Sequence, residues 1–404
     1  MFSHLQISDR RERWLVGLAD AALGAAMVPV RLVAPRRIHP AEAGAAAGPR
    51  RILILRLERI GDLLMARPAL AAVRHLAPGA RIDLVVGSWN EALARVIGDV
   101  DRVRVLDAKW LARGAAAPSW PALIRQARAW RDDRYDLALN FEGDIRSHLL
   151  MAQSGAPRRV GFDMAGGGPL LTDRVAHDSS RHVADNLLRL VETAFGQAAG
   201  SQARVHTPLN LPEEARERAR ALVGIDHRRM LIGIQVGGGR PVKQWEPRRF
   251  GDLAGRLAAK YGATIVFTGD AADRPLVDAA RASLAADVPV VDLAGRADLL
   301  TLAAVLEMLA IFITGDTGLM HLASAVNAPL VAIFGPSDPR RWGPLSPTSR
   351  VVRSDVPCGP CNRIRRPPAA CVGVIPECLA AIGVAQVQAE AERLLEREGG
   401  GDGR

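Results

Sequence analysis

Asp62 lies in RLERIGDLLMARPAL (56–70), just after a short apolar run and Gly61. A carboxylate at the start of a helix, at the carboxyl edge of a strand, can act as a general base. The same position suits a helix N-cap that stabilises by about 1 kcal/mol, and on periodicity alone the cap is the plainer reading. The next group is QVGGGRPVKQWEP (235–247). Gly237, Gly238 and Gly239 follow a strand and expose backbone N–H groups able to cradle phosphate, and the cation Lys243 follows them. Trp245 reads as core. In ITGDTGLMHLASA (313–325), Asp316, Thr317 and Gly318 open a helix whose free N–H groups favour an anion, with His321 one turn on. The plainer alternative makes Asp316 a cap and His321 a surface residue. Asp273, in TGDAADRPL (268–276), follows another strand and is placed either to accept ribose hydroxyls or to favour a helix dipole. Cys358, Cys361, Cys371 and Cys378 lie in one short segment with C-x2-C at its head. Four such sulfurs suit a structural zinc or iron; the alternative is free or redox-paired thiols.

The elements around these residues alternate. RILILRL (51–57), ARIDLVVG (80–87), VDRVRVLD (100–107) and YDLALNF (135–141) read as strands, with a turn and then a helix within 58–79, ending near Pro78-Gly79, and helices predicted over 90–98 and 118–133. RVGF and PLLTDRVAH read as short strands, and 182–196 as a helix. The alternation restarts with strands in 230–239, 263–270, 288–295, 310–316 and 328–335, and helices at 247–262, 274–285, 299–309 and 317–326. Strand–helix alternation of this kind makes mostly parallel sheets covered on both faces. The chain is therefore expected to be α/β with two Rossmann-like domains and a ligand crevice outside the strands' carboxyl ends. The expected divisions are an N-terminal helix and linker (1–49), a first Rossmann-like domain (50–210), a second (211–350), and a cysteine-containing segment with a C-terminal helix (351–404).

The chain has 404 residues, 49% hydrophobic and 24% charged, which excludes intrinsic disorder. Its formal charge is +10, and of its 53 Lys and Arg residues only Lys109, Lys243 and Lys260 are lysines. Arginine suits bidentate contacts with phosphate and carboxylate. Only 4% of residues are aromatic, and no helix-turn-helix or RNP-like strand is present, which argues against nucleic acid as the partner. WLVGLADAALGAAMVPV (14–30) is too short to span a bilayer and carries Asp20; arginines flank it on both sides. It reads either as an interfacial helix on an anionic membrane or as a helix packed on the body. PAEAGAAAGP (40–49) reads as a linker.

Taken together, RLERIGDLLMARPAL, GGGRPVKQWEPRRF and GDTGLMHLASAVNAPLVAIFGPSDP resemble glycosyltransferase family 9, the lipopolysaccharide heptosyltransferases, across roughly residues 50–350. The segment YDLALNFEGDIRSHLLMAQSGAPRRVGF (135–162) adds weaker support. The resemblance implies the GT-B fold, an inverting transfer from a nucleotide-sugar donor such as ADP-heptose, and an anionic glycolipid acceptor. It implies Asp62 as the base and Lys243 as the cation for the leaving diphosphate. Gly237 to Gly239 would form the phosphate loop, where many members carry Thr or Ser. Asp273 would meet the ribose, where members often carry Glu, and Asp316, Thr317, Gly318 and His321 would form the donor motif. No cofactor is implied for catalysis. Arg56, Arg59, Arg146, Arg158 and Arg159 become acceptor-binding candidates, each also readable as a solvated surface charge. A D-x-D at Asp99 and Asp101, of the kind that metal-dependent transferases use, precedes a strand far in sequence from the donor residues and is discounted. The expected location is cytoplasmic, peripheral on the inner membrane. Rival readings are a nucleotide-sugar isomerase of the same fold and a non-catalytic binding or scaffolding protein. A dinucleotide oxidoreductase is disfavoured by the lack of G-x-G-x-x-G.

Overall fold

The structure, a computed structural model, describes residues 5–7, 9–33, 48–108, 110–111, 118–200, 207–224 and 229–399. The expected linker falls almost wholly outside these residues. The chain divides into two compact units, Met1–Val205 and His206–Arg404.

In the first unit the elements run α1 (Arg10–Val33), β1 (Arg51–Leu55), α2 (Ile60–Met65), α3 (Arg67–Leu76), β2 (Arg81–Val86), α4 (Glu91–Arg95), β3 (Arg102–Val105), α5 (Trp120–Arg128), β4 (Leu137–Asn140), α6 (Ile145–Gln153), β5 (Arg158–Phe162), β6 (Asp173–Val175) and α7 (Val183–Phe195). The second runs α8 (Glu213–Val223), β7 (Leu231–Gln235), α9 (Pro247–Tyr261), β8 (Thr264–Thr268), α10 (Arg274–Arg281), β9 (Val290–Asp292), α11 (Leu299–Met308), β10 (Ile311–Gly315), α12 (Gly318–Ala325), β11 (Leu330–Phe334), α13 (Pro339–Trp342), β12 (Ser349–Arg353), α14 (Glu377–Ala380) and α15 (Val384–Gly399).

Each unit holds one six-stranded sheet, ordered β3-β2-β1-β4-β5-β6 and β12-β11-β10-β7-β8-β9. All neighbours pair in parallel. Counted within its own unit, each sheet has the strand order 3-2-1-4-5-6, the doubly wound Rossmann arrangement. The strand order reverses between β1 and β4 in the first sheet and between β7 and β10 in the second. At those points adjacent connections leave toward opposite faces, so the loops after the strands part and leave a crevice.

The central strands are apolar along their whole length because helices cover both faces. Ile52 to Leu55 and Leu330 to Phe334 are fully buried. The helix expected within 58–79 breaks at Ala66, with Pro68 in the first turn of α3, where its missing N–H costs nothing. The helix expected over 118–133 ends at Arg128 and continues as a 3₁₀ turn to Asp133. The strand expected in PLLTDRVAH is a turn at Gly168–Leu170 followed by the three residues of β6. β12 forms an edge of the second sheet, and Val387, Ala391, Leu394 and Leu395 of α15 join that unit's core.

Helix α1 packs on the first unit. The Asp20 carboxylate accepts the Gly167 N–H at 2.5 Å, and Val16 lies against Gly166, where a side chain would clash. The opposite side is exposed and apolar, with Trp14, Leu15 and Leu18 facing solvent. No helix among the described residues is long and apolar enough to cross a membrane.

Candidate active site

In the second unit the residues expected to bind phosphate converge at the reversal of strand order. Gly237 to Gly239 follow β7, and Asp316 to Gly318 follow β10, its sheet neighbour. Lys243 ends a 3₁₀ turn and its Nζ lies 2.6 Å from Asp316 Oδ2. Thr317 is the N-cap of α12, its hydroxyl accepting from Met320 N at 3.4 Å. The same hydroxyl donates to Gln235 Oε1 at 2.8 Å, and Thr314 donates to that oxygen at 2.7 Å. Gln244 Nε2 donates to Gly238 O at 2.8 Å and ties the glycine loop to the turn that carries Lys243. Gln235 and Gln244 were not singled out in the sequence; a buried amide at a strand end and one beside Lys243 are weak signals. His321 is buried on the first turn of α12. Gly318 is that helix's first residue, so its backbone N–H points out of the helix end.

Asp273 sits against the glycine loop. Its carboxylate accepts from Asp270 N at 3.1 Å and from the Gly238 N–H. A Cβ on Gly237 would fall 1.9 Å from Asp273 Oδ1, so this glycine is required for the close approach. Burial pushes the Asp273 carboxyl up, and the neighbouring Asp270 charge adds to the rise. Asp273 thus braces the loop, and the plainer alternative for it, a first-turn acid, is part of its observed role.

In the first unit Asp62 occupies the corresponding place after β1. It is the third residue of α2, and its Oδ2 accepts from Arg59 N at 3.2 Å. The helix-capping role is therefore real, yet the side chain stays 28% exposed at the carboxyl edge of the sheet. Arg56 lies beneath it, 3% exposed. Its guanidinium donates to Asp62 O at 3.1 Å, Phe141 O at 2.7 Å and Glu58 Oε2 at 2.9 Å, and approaches Asp62 Oδ1 at 3.6 Å.

Glu142, just past β4, was also missed. Its carboxylate accepts the Leu57 N–H, and its own N–H donates to Asn140 Oδ1 at 3.0 Å. Burial pushes its carboxyl up to about 7 against the Arg56 charge and the Leu57 N–H, which favour ionisation, while Asp144 and Asp62 add to the rise. The signal that could have found it is the one that found Asp62: an acid directly beyond a buried strand's carboxyl end. Behind it, Asn140 Nδ2 donates to Ser147 Oγ at 2.8 Å and to His148 Nδ1 at 2.7 Å. His148 Nε2 donates to Phe162 O at 2.8 Å, and burial holds this imidazole neutral by lowering its pKa.

The arginine assignments need correction. Arg56 is buried and consumed by the turn that holds Asp62, so it is not a surface for an acceptor. Arg158 and Arg159 begin β5, at the amino edge of the sheet, opposite Asp62. Arg158 pairs with Asp173, and Arg159 donates to Leu170 O at 2.8 Å and Ala156 O at 2.7 Å. Arg59 and Arg146 do lie at the carboxyl edge. Arg146 pairs with Asp144 at 2.7 Å and stacks over Trp110, which in turn stacks on Trp120. Asp99 and Asp101 are at the amino edge: Asp101 pairs with Arg74 at 2.7 Å, and Asp99 faces Arg67 and Arg74.

The cysteine expectation is also corrected. Burial pushes the Cys378 thiol up to about 11, with Cys358, Cys361 and Cys371 near enough to add to the rise. Among the described residues, however, no three His, Cys, Asp or Glu side chains are arranged to hold a metal ion, so a zinc or iron site at Cys358, Cys361, Cys371 and Cys378 is unsupported. Spacing brought the thiols to one region without fixing a tetrahedral geometry.

A duplicated Rossmann unit, with a lysine, a glycine loop and a helix N-terminus at one reversal point and a part-exposed carboxylate at the other, defines a glycosyltransferase of GT-B fold. The family model for glycosyltransferase family 9 (heptosyltransferase) matches residues 123–369. The chain belongs to that family. It is 27% identical over 312 residues to lipopolysaccharide heptosyltransferase 2 of Salmonella typhimurium, covering 75% of this chain and 88% of that one. Among solved structures it is similar to a family 9 glycosyl transferase from Veillonella parvula, with TM-score 0.75, 25% identity and coverage of 86% and 98%. It is also similar to the E. coli ADP-heptose lps heptosyltransferase II, with TM-score 0.70, 23% identity and coverage of 86% and 99%.

Proposed function

We propose that the protein is an inverting heptosyltransferase that moves heptose from ADP-heptose to a lipopolysaccharide-core or related glycan acceptor. The observation that carries this is the pairing of Lys243 with Asp316 beside the glycine loop and the N-terminus of α12. A diphosphate is the ligand that fits a cation, a glycine loop and a helix N-terminus in one place. The relatives named above supply heptose and ADP as the sugar and nucleotide.

In this reading Asp62 takes the proton from an acceptor hydroxyl. The resulting oxygen forms the new bond to the anomeric carbon from the face opposite the leaving group. The bond from that carbon to the β-phosphate oxygen breaks, and the electron pair leaves with ADP. Lys243 and the α12 N–H groups stabilise charge that is larger in the transition state than in the bound donor, which is what accelerates the step. Thr317 and His321 complete the donor site, and Asp273 keeps the glycine loop in shape for the phosphates. The reading asks no cofactor of the reaction. Arg59 and Arg146 remain for an anionic acceptor.

The exposed Trp14, Leu15 and Leu18 on α1, with Arg10 and Arg11 exposed at the helix start, support peripheral contact with the anionic cytoplasmic face of the inner membrane. The test of the chemistry is Asp62→Asn. It is expected to lower kcat by roughly a hundredfold or more while leaving ADP-heptose affinity unchanged. Wild-type turnover by this variant, followed as ADP release, removes Asp62 as the base.

A further inference from the structure

We propose that Glu142 is a positioning residue for this reaction: its carboxylate holds the Leu57 amide, next in the chain to Arg56, the cation that approaches Asp62, so that its charge bears on how fully Arg56 neutralises Asp62. The inference rests on the reading of Asp62 as the base.

The geometry is a closed set. Glu142 is buried, and its acceptor bond goes to the turn that leads into α2. Arg56 is drawn into that turn, where it serves the Phe141 carbonyl, Glu58 and both the carbonyl and carboxylate of Asp62. The charged groups facing Glu142 are Arg56 and Asp62 from the β1–α2 segment, with Glu58 reaching it through Arg56, and Asp144 and Arg146 from the start of α6. The Asn140–Ser147–His148 set fixes the backbone from which Glu142 projects. A buried carboxylate with one amide bonded to it and Arg56 acting on it only through its charge is costly to keep, and a plain structural role would be filled as well by an uncharged amide.

Its charge has a consequence for Asp62. When Glu142 is ionised, its charge offsets part of the field of Arg56 and repels that of Asp62, and Asp62 keeps more of its basicity. When Glu142 takes up a proton, Arg56 is left to Glu58 and Asp62, and the base is blunted. Burial places that proton exchange near neutrality. Activity is therefore expected to rise with pH through that range.

Wild type, Asp62→Asn, Glu142→Gln and Glu142→Asp are assayed as full chains with ADP-heptose and a heptose-free lipopolysaccharide, from about pH 5.5 to about 9. Glu142→Gln is expected to keep its thermal midpoint at the acid end of that range and its donor KM throughout, to lose kcat by roughly ten- to a hundredfold, and to lose the acid limb of the profile. Glu142→Asp, which keeps the charge, is expected to retain that limb. A Glu142→Gln profile and kcat like wild type overturns the inference; so does a kcat that falls together with the thermal midpoint while the limb stays. Full turnover by Asp62→Asn defeats the base reading and this inference with it. A wild type that transfers nothing defeats only the proposed substrates. Infrared titration then decides Glu142: a carboxyl band titrating near neutrality and missing in Glu142→Gln supports it, and no such band overturns it.

Discussion

Lys243 and Asp316 form a close ion pair whose members belong to different loops, one after β7 and one after β10. A half-buried lysine held this way is pre-placed, so a diphosphate meets a cation that loses little freedom on binding. Lys243→Ala is expected to weaken ADP affinity by about tenfold or more, since one charge-assisted contact is worth about 1.5–3 kcal/mol. Calorimetry reading an unchanged Kd would remove Lys243 from the site. Lys243→Arg should restore only part of the binding, because a guanidinium fork does not superpose on a point charge. At the same scale Glu142 makes a stability prediction. Its folded-state pKa is raised, so its contribution is fully present below its unfolded value and is lost as pH rises through about 7. Relative to Glu142→Gln, wild type should lose up to roughly 3 kcal/mol of unfolding free energy between about pH 5 and about pH 8, at about 1.4 kcal/mol per unit. A difference that grows in the opposite direction contradicts the buried, neutral-to-ionised assignment. Which single residues were legible in the chain follows a rule. Asp62, Lys243 and Asp316 were legible as candidates because each stands just beyond a strand's carboxyl end. Arg158 and Arg159 stand before one, and the same rule, applied to them, would have placed them on the wrong edge of the sheet.

Among the elements, the long central strands were legible because coverage on both faces leaves them continuously apolar, as in RILIL and LVAIF. The edge strand β12 was not: it reads SRVVR, with polar side chains that an edge tolerates and a centre does not. β6, read within PLLTDRVAH, is only DRV. α6 and α8 were also missed: neither stands beside a long apolar run that would have marked it. Helix α1 was left between two readings, and the structure shows a physical basis for both. One side is fastened by the Asp20–Gly167 bond, and the other presents Trp14, Leu15 and Leu18 to solvent. Asp20, the charge within the apolar stretch, is the residue that fastens the helix to the body. The apolar side makes a direct prediction. Leu15→Glu with Leu18→Glu should leave thermal stability and donor binding unchanged and reduce sedimentation with vesicles containing anionic phospholipid. Each leucine withdrawn from lipid forfeits about 1.5–3 kcal/mol. Sedimentation equal to wild type would leave the helix as a packed element only.

At the scale of the whole molecule, one topology is used twice for different ends. Each sheet reverses its strand order once, and each reversal carries charged groups: Asp62, Arg56 and Glu142 in the first unit, Lys243, Asp316 and Asp273 in the second. The strand order explains why residues so distant in sequence come together within a unit, and no periodicity in the chain announces it. The charge of +10 now has a partial distribution. Much of the arginine is consumed internally, in pairs such as Arg81 and Arg104 with Asp83 and Asp133.

The central claim is transfer of heptose from ADP-heptose to a lipopolysaccharide-type acceptor. It is tested most directly by mass spectrometry of the acceptor after incubation with the full chain and ADP-heptose, with ADP counted in parallel. The account predicts an acceptor heavier by one heptose, ADP released in equal amount, and neither product with Asp62→Asn. An acceptor of unchanged mass beside intact ADP-heptose, or the same adduct formed by Asp62→Asn at the wild-type rate, would contradict it.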